Sequence, residues 1–498
     1  MQYKKILFVA IFFATMPLSQ AFATAAPSYG APLTADAQSV ISTPAALPKV
    51  ASSDCSASFL SRFAATYRED AAPADPNAPV TPRRGMDAPL NSPPFPSAEW
   101  QLGAVPAPIG VPDTNSQYPL EKALACTALG HWMQRNRIEV FGWVTPSANL
   151  SSSSFTNAPL SYNTRPNRVE LDQAVINIQR VEDTVQTDHL DWGFGISNLY
   201  GYDYHYTTMK GVFSNQYLNH PNANNPQQGK VYGNDPMLFY GDLYIPWVAE
   251  GMIVRVGRYL SPPDIEAQFS PQNYLMTHSI LYTEDPYTQM GIMTSTRLNS
   301  QWTLQVGVNG SNDTAVWNHS ARPTLQACVR WVSASNNDML YPCINSLNTS
   351  DYNYNNVQMY VMTWGHRFND KVHILTEAYS LFGRNIPGYG RDATRGQAGS
   401  SPFAGEAGAF GIVNYLNIEL SPSDMLSIRN EFYDDEKGQR TGFATRYSSH
   451  TVGITHWVTQ DLEIQPELRY EHSYNVNAYD AGKKNYQAVA LLDAIIHF

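Results

Sequence analysis

Residues 486–498 read Tyr-Gln-Ala-Val-Ala-Leu-Leu-Asp-Ala-Ile-Ile-His-Phe. Tyr486, Ala488, Ala490, Leu492, Ala494, Ile496 and Phe498 fall on one face. Gln487, Val489, Leu491, Asp493, Ile495 and His497 fall on the other. A period of two places successive side chains on opposite sides of a strand. A last strand that is apolar at every second residue and ends on an aromatic is how a bacterial outer-membrane barrel closes. On this reading Phe498 is the mark that the barrel-assembly machinery recognises.

The opposite end of the chain carries an export signal. Lys4 and Lys5 precede an apolar run from Ile6 to Leu18, and Ala21-Phe22-Ala23 supplies small residues for cleavage after Ala23. The run is too short to span a bilayer as a helix. No other stretch of eighteen apolar residues exists, yet strands hide their lipid face from hydropathy averages. Thirty tyrosines and ten tryptophans fit a wall with aromatic girdles at both membrane interfaces.

Formal net charge is -11, and loss of Lys4 and Lys5 takes it to about −13. That argues against nucleic acid as a partner, because phosphate binding needs a basic surface. Cys55, Cys126, Cys328 and Cys343 are an even set in an exported chain and predict two disulfides. The spacing favours Cys55–Cys126 and Cys328–Cys343. The second pair is symmetric about a turn near Ser335 and Asn336, which makes the two cysteines cross-strand neighbours.

Residues 24–135 contain sixteen prolines. Proline cannot donate to a ladder, so this stretch reads as an extended periplasmic segment. It holds one helix from about Leu120 to Gln134, with Cys126 on it. From Asn136 the texture changes to strands, and sixteen are expected (range 12–18). They are 136–149, 168–183, 188–206, 232–248, 251–262, 285–298, 301–310, 324–334, 338–347, 355–368, 371–384, 406–421, 424–436, 442–458, 461–474 and 484–498. The odd-numbered connections are the long ones and the even-numbered ones are tight, as expected of long external loops and short periplasmic turns. The fold class is therefore all-β, a transmembrane antiparallel barrel over 136–498.

Face assignment follows from the cost of charge in lipid, about 2–4 kcal/mol at the midplane for Arg or Lys. In 461–472 Leu462, Ile464, Pro466, Leu468 and Tyr470 face lipid, while Glu463, Gln465, Glu467, Arg469 and Glu471 face the bore. Leu426, Ile428 and Phe432 face out against Arg429, Glu431 and Tyr433; Leu416 and Ile418 face out against Tyr415, Asn417 and Glu419. The stretch 443–458 does not alternate cleanly.

The third external connection contains Asp264 and Glu266 just after Pro262 and Pro263. Folded into the bore, it would set these acids opposite wall arginines such as Arg255, Arg429 and Arg469. Charges of opposite sign across a narrow channel bias ion choice. Glu377, Glu419, Glu431, Glu463 and Glu467 complete the expected pore-lining set, with wall salt bridges as the plainer reading. His373 and Glu377 share a face but lie roughly 13 Å apart, so neither a metal ligand set nor a catalytic group is assigned, and no cofactor is expected.

The blocks NRIEVFGWVTPSANLS, VQTDHLDWGFGISNLYGYDYHYT, GMIVRVGRYLSPPDIEAQFSPQNY and LSIRNEFYDDEKGQRTGFATRYSSHTVGITHW resemble the putative β-barrel porin-2 (OmpL-like) family of Gram-negative outer membranes. The likeness runs from about Pro89 to Phe498. It implies an outer-membrane barrel that passes small hydrophilic solutes or ions, and it brings no catalytic residues. Trimers are common among sixteen-stranded porins, though nothing in this sequence specifies one. The alternatives are a structural or adhesive barrel with a plugged lumen, and a barrel enzyme.

Overall fold

Sixteen antiparallel strands pair in chain order, and the last returns to the first, so the sheet has no free side. A closed sheet satisfies its own backbone donors and acceptors, which lipid cannot do. The computed structural model describes residues 55–71, 109–110, 117–160, 162–218, 231–335, 337–348, 357–369, 371–384 and 406–498. The leader and most of the Pro-rich segment lie outside these residues. The strands are β1 (Glu139–Ser151), β2 (Val169–Arg180), β3 (Asp191–Gly201), β4 (Gly233–Ile245), β5 (Met252–Leu260), β6 (Thr288–Arg297), β7 (Trp302–Asn309) and β8 (Thr324–Val332), then β9 (Asp338–Leu347), β10 (Gln358–Arg367), β11 (Val372–Arg384), β12 (Glu406–Ser421), β13 (Asp424–Asp435), β14 (Thr445–Thr459), β15 (Leu462–Ser473) and β16 (Tyr486–His497). Most ends fall within a few residues of the sequence-based ranges.

Burial alternates with the period of two. In β15, Glu463, Gln465, Glu467, Arg469 and Glu471 are buried towards the bore while Leu468 and Tyr470 stay exposed outside. In β14 the alternation is equally regular, with Tyr447, Ser449, Thr451, Thr455 and Trp457 inside. The sequence obscured it because Arg446, Ser448 and His450 point outwards, where apolar side chains are expected. Cys328 and Cys343 are directly paired residues of β8 and β9 and form the predicted disulfide.

The predicted single helix at 120–134 is two helices. α2 (Pro119–Leu124) and α3 (Ala128–Asn136) are separated at Ala125–Thr127, so Cys126 lies in the break rather than on a helix. Thr127 caps α3 by accepting from Gly130 N at 3.0 Å. Gly130 is required there, because a Cβ would sit 2.0 Å from Leu124 O. The disulfide Cys55–Cys126 ties α1 (Phe59–Asp70) to this pair.

This stapled cap sits on the seam where the barrel closes. β1 runs past the end of β16, so Glu139–Phe141 pair with β2 alone. On their other side Glu121 accepts from Val140 N at 3.1 Å. Tyr67 Oη donates to His497 O at 2.5 Å, and Asp461 N donates to Asp70 at 3.0 Å. Tyr118 stacks on Phe141, ring centroids 4.3 Å apart. The cap thus satisfies a strand edge that β16 leaves bare. Serine at both Cys55 and Cys126 should cost the cap about 2–4 kcal/mol. Amide exchange over 59–70 and 119–136 should quicken while the barrel core stays protected; equal protection with and without the disulfide would refute this.

Candidate functional site

The connection from β5 to β6, residues 261–287, does not cover the outside of the barrel. It is buried along almost its whole length and crosses the bore. Against β11, Ile265 N donates to Glu377 at 2.9 Å, and Tyr379 Oη donates to Leu281 O at 2.8 Å. Against β13, Arg429 Nη1 donates to Glu266 at 3.1 Å and also to Thr277 O, and Ile280 N donates to Glu431 at 2.6 Å. Against β15, Thr277 N donates to Glu467 at 2.9 Å, and Arg469 donates to Thr277 Oγ1 and His278 O. On the far side, Gln173 of β2 donates to Gln268 O at 2.8 Å, and Trp143 of β1 packs edge-on against Phe269.

Local structure explains why the chain turns inwards. Pro262 and Pro263 end the ladder after Leu260, since neither can donate. Further on, Ser279 accepts from Tyr282 N and starts a single turn of helix, α4 (Ile280–Thr283). Two apolar side chains then key into the wall. A Cβ at Gly411 would meet Leu281 at 2.9 Å, and one at Gly453 would meet Leu275 at 2.6 Å. The wall omits side chains where the loop supplies leucines. Beside the loop, Tyr162 of the β1–β2 connection lies 3.9 Å, centroid to centroid, from His278.

The expected pore charges are distributed unevenly. Glu266 does meet Arg429, whereas Asp264 lies with two other acids. Oxygens of Asp264, Asp285 and Glu377 lie within 4.8 Å of one another. Three such acids could hold a cation, although a shared proton also answers their mutual repulsion. Arg255 is held by Asp242 at 2.9 and 2.6 Å, with its guanidinium 3.5 Å from the centre of the Tyr240 ring. Arg469 contacts Glu431 at 3.1 Å and Glu471 at 2.7 Å. Glu463 contacts His497 at 2.9 Å. Glu419 is half-buried at the end of β12 that turns tightly into β13. His373 lies 3.0 Å from the Asn417 side-chain nitrogen.

Some anchors carry no sequence signal. Gln173 faces inwards beside Asp172 because a register shift between β1 and β2 turns two successive residues to the bore. Asp285 and Thr277 matter only through where the loop ends up. Most inward-facing residues between the two rims are buried, so the loop fills much of the cross-section.

Burial pushes the Asp264 carboxyl up to about 7, with contacts to Asp285 and Glu377 opposing and the charge of Glu266 assisting. Burial likewise holds His278 down at about 4, so it is neutral at pH 7 and its Nε2–H donates to Ala267 O at 2.7 Å. A raised acid means the docked loop keeps a proton that a released loop gives up. Asp264 therefore favours docking most below about pH 4 and progressively less up to about pH 7, whereas His278, neutral when docked and protonated when released, favours it progressively more from about pH 4 to about pH 6.5. The two largely offset one another, so exchange of amides 264–285, corrected for intrinsic rate, should change little between pH 5 and pH 8. Asp264→Asn should leave the His278 response, with faster exchange at pH 5 than at pH 8, and a variant as flat as the wild type would remove Asp264 from the account.

The family model described as "Putative beta-barrel porin-2, OmpL-like" matches residues 137–498. The match is confined to the barrel with its lead-in and does not extend back to Pro89, from which the sequence resemblance runs. No curated protein matches. Among solved structures, an anion-selective porin from Comamonas acidovorans is 9% identical, with 72% of this chain and 99% of that one covered, at a TM-score of 0.45. The outer membrane channel DcaP of Acinetobacter baumannii is 8% identical, with 72% and 97% covered, at 0.42. OmpT of Vibrio cholerae, in its trimer form, is 8% identical, with 72% and 99% covered, at 0.43.

Proposed function

The chain belongs to the putative beta-barrel porin-2, OmpL-like family, and we propose on that footing that it is an outer-membrane porin giving passive or weakly selective diffusion to small hydrophilic solutes. The observation that carries this reading is the closed sixteen-stranded wall with aliphatic residues outside and ionisable residues inside. Such a wall supplies a polar route through an apolar slab, and the solute's own gradient supplies the drive. In this proposal Asp264, Glu266, Arg429, Glu431, Glu467 and Arg469 set the field at the narrowest point. Arg255, Glu377, Glu419 and Glu463 line the approach. No reacting group or cofactor takes part.

The same proposal includes export through a leader removed after Ala23, insertion by machinery that reads Phe498, and assembly as a homotrimer. Residues 24–135 remain in the periplasm.

Planar-bilayer recording of the purified protein is the test. Stepwise ohmic current is expected, with a reversal potential in a salt gradient that favours cations. Asp264→Asn with Glu266→Asn should weaken that preference. A second reading, a structural or adhesive barrel, is favoured by the burial of inward residues around the loop. It predicts a folded, heat-modifiable protein with no current.

A further inference from the structure

The cap on the barrel seam leaves large apolar side chains uncovered. α3 buries Gly130 and Met133 and turns Leu129 and Trp132 outwards, where they are 53% and 48% exposed. α1 adds Phe59 and Leu60, the latter 74% exposed. The four surround the Cys55–Cys126 disulfide, whose Cα atoms are 5.4 Å apart. Leu129 follows closely on Cys126 along the chain, and Phe59 on Cys55. Apolar side chains gathered on a surface in this way mark a contact site.

Charge says what the site contacts. The chain carries a formal net charge of -11, yet residues 122–138 hold Lys122, Arg135 and Arg137 and no acid. Glu121, just before them, accepts from the Tyr118 and Val140 amides at 3.0 and 3.1 Å. Arg135 is exposed, and at three residues from Trp132 it is a neighbour on the same helix face. Leucine and tryptophan bordered by arginine suit the boundary where anionic headgroups meet acyl chains.

Position agrees with charge. Connections that follow even-numbered strands share the end of the barrel where the cap sits, because Asp461 of the β14–β15 turn bonds to Asp70 of α1. At that end Trp192 of β3, Trp247 after β4 and Trp302 of β7 are exposed. Tryptophans in such a belt lie at headgroup level. From β12 round to β16 the belt breaks. Among the described residues that arc shows Leu420, Val458, Ile496 and a half-buried Phe498 at this end, and no exposed tryptophan. The cap stands at the break, and Trp132 supplies the missing ring. α3 is also joined to the belt. Arg137, directly after the helix, contacts Asp191 at 3.1 Å; Asp191 contacts Arg180 at 2.9 Å; and the Arg180 guanidinium lies 4.4 Å from the centre of the Trp192 ring.

We propose that α3 and the start of α1 lie on the bilayer surface at this end of the barrel, and that anionic phospholipid covers Leu129 and Trp132. The inference rests on the outer-membrane reading, because it needs a bilayer round the wall beside the cap. Lipid contact then helps to hold the cap against Glu139–Phe141, the strand edge that β16 leaves bare.

The test uses the full chain folded into nanodiscs of phosphatidylethanolamine and phosphatidylglycerol. All four native cysteines are in disulfides, so Trp132→Cys adds the sole thiol, which takes an environment-sensitive fluorophore. Headgroup-nitroxide lipid should quench this label about twofold or more. It should leave bright the same label on Glu69→Cys, an exposed position at the other end of α1. Phosphatidylcholine in place of phosphatidylglycerol should weaken the quenching at 132, as should Arg135→Glu. A label at 132 that escapes quenching overturns the proposal, whether water or protein surrounds it. So does equal quenching at 132 and 69, or quenching indifferent to lipid charge. A chain that folds in water without lipid or detergent overturns the outer-membrane reading itself, which is a separate result.

Discussion

Arg429→Met should loosen the loop across the bore more than any other single change. Arg429 is fully buried, and it bonds to Glu266, Thr277 and the Tyr415 and Thr451 hydroxyls. Removing one partner of a buried ion pair leaves the other charge uncompensated, at a cost of about 3–5 kcal/mol. At 1.4 kcal/mol per tenfold, the undocked population rises by about a hundred- to a few thousand-fold. Amide exchange over residues 264–283 should accelerate accordingly, and single-channel conductance should rise as the obstruction withdraws. Adding Glu266→Gln should restore part of the docking, because the stranded carboxylate is then gone. If Arg429→Met leaves exchange in the loop unchanged, the ion pair is not what holds it.

The second large effect is steric and leaves every charge in place. Valine at Gly411 and Gly453 fills the two hollows that receive Leu281 and Leu275. The added carbons would meet those leucines at 2.9 and 2.6 Å, closer than carbon atoms pack. Overpacking of this kind costs about 1–3 kcal/mol per site. The strands themselves gain β propensity from valine, so the barrel should fold and remain heat-modifiable. The expected phenotype is again a mobile loop and a larger conductance, now with unaltered ion preference. That separates it from Arg429→Met, which also removes a positive charge from the bore. A double-valine barrel with wild-type conductance would mean that the loop is not the obstruction.

The wall was legible residue by residue because a strand's face is a local property. Leu468 and Arg469 point to opposite sides whatever lies beyond them, and lipid outside requires Leu468 there. The same rule fails at 443–458, where Arg446, Ser448 and His450 occupy the outer face. Lipid contact is not what those positions express. The break in the 120–134 helix was hidden for a related reason. The apolar spacing continues through it, and only the Thr127 cap and the bare Gly130 divide it.

The site divides along the same line. Alternation and the two prolines placed Glu266 and Arg429 in reach of one another, and they meet. The same reasoning paired Asp264 with arginine, whereas the loop delivers it to Asp285 and Glu377. Arg255 meets Asp242, which lies directly opposite it on β4. An inward-pointing side chain takes the nearest compensating charge in three dimensions, and for a wall residue that is often its cross-strand neighbour.

By itself the sequence pointed to sixteen strands, to the lipid face of strands such as β12, β13 and β15, and to both disulfides, because these depend on a period of two and on spacings along the chain. The tertiary structure alone decided the path of residues 261–287, the glycine hollows that seat it, and the cap on the barrel seam. Those depend on contacts such as Glu266–Arg429, whose members are 163 residues apart. No local pattern encodes such a pairing, since it exists only once the closed wall brings distant strands round to face the loop.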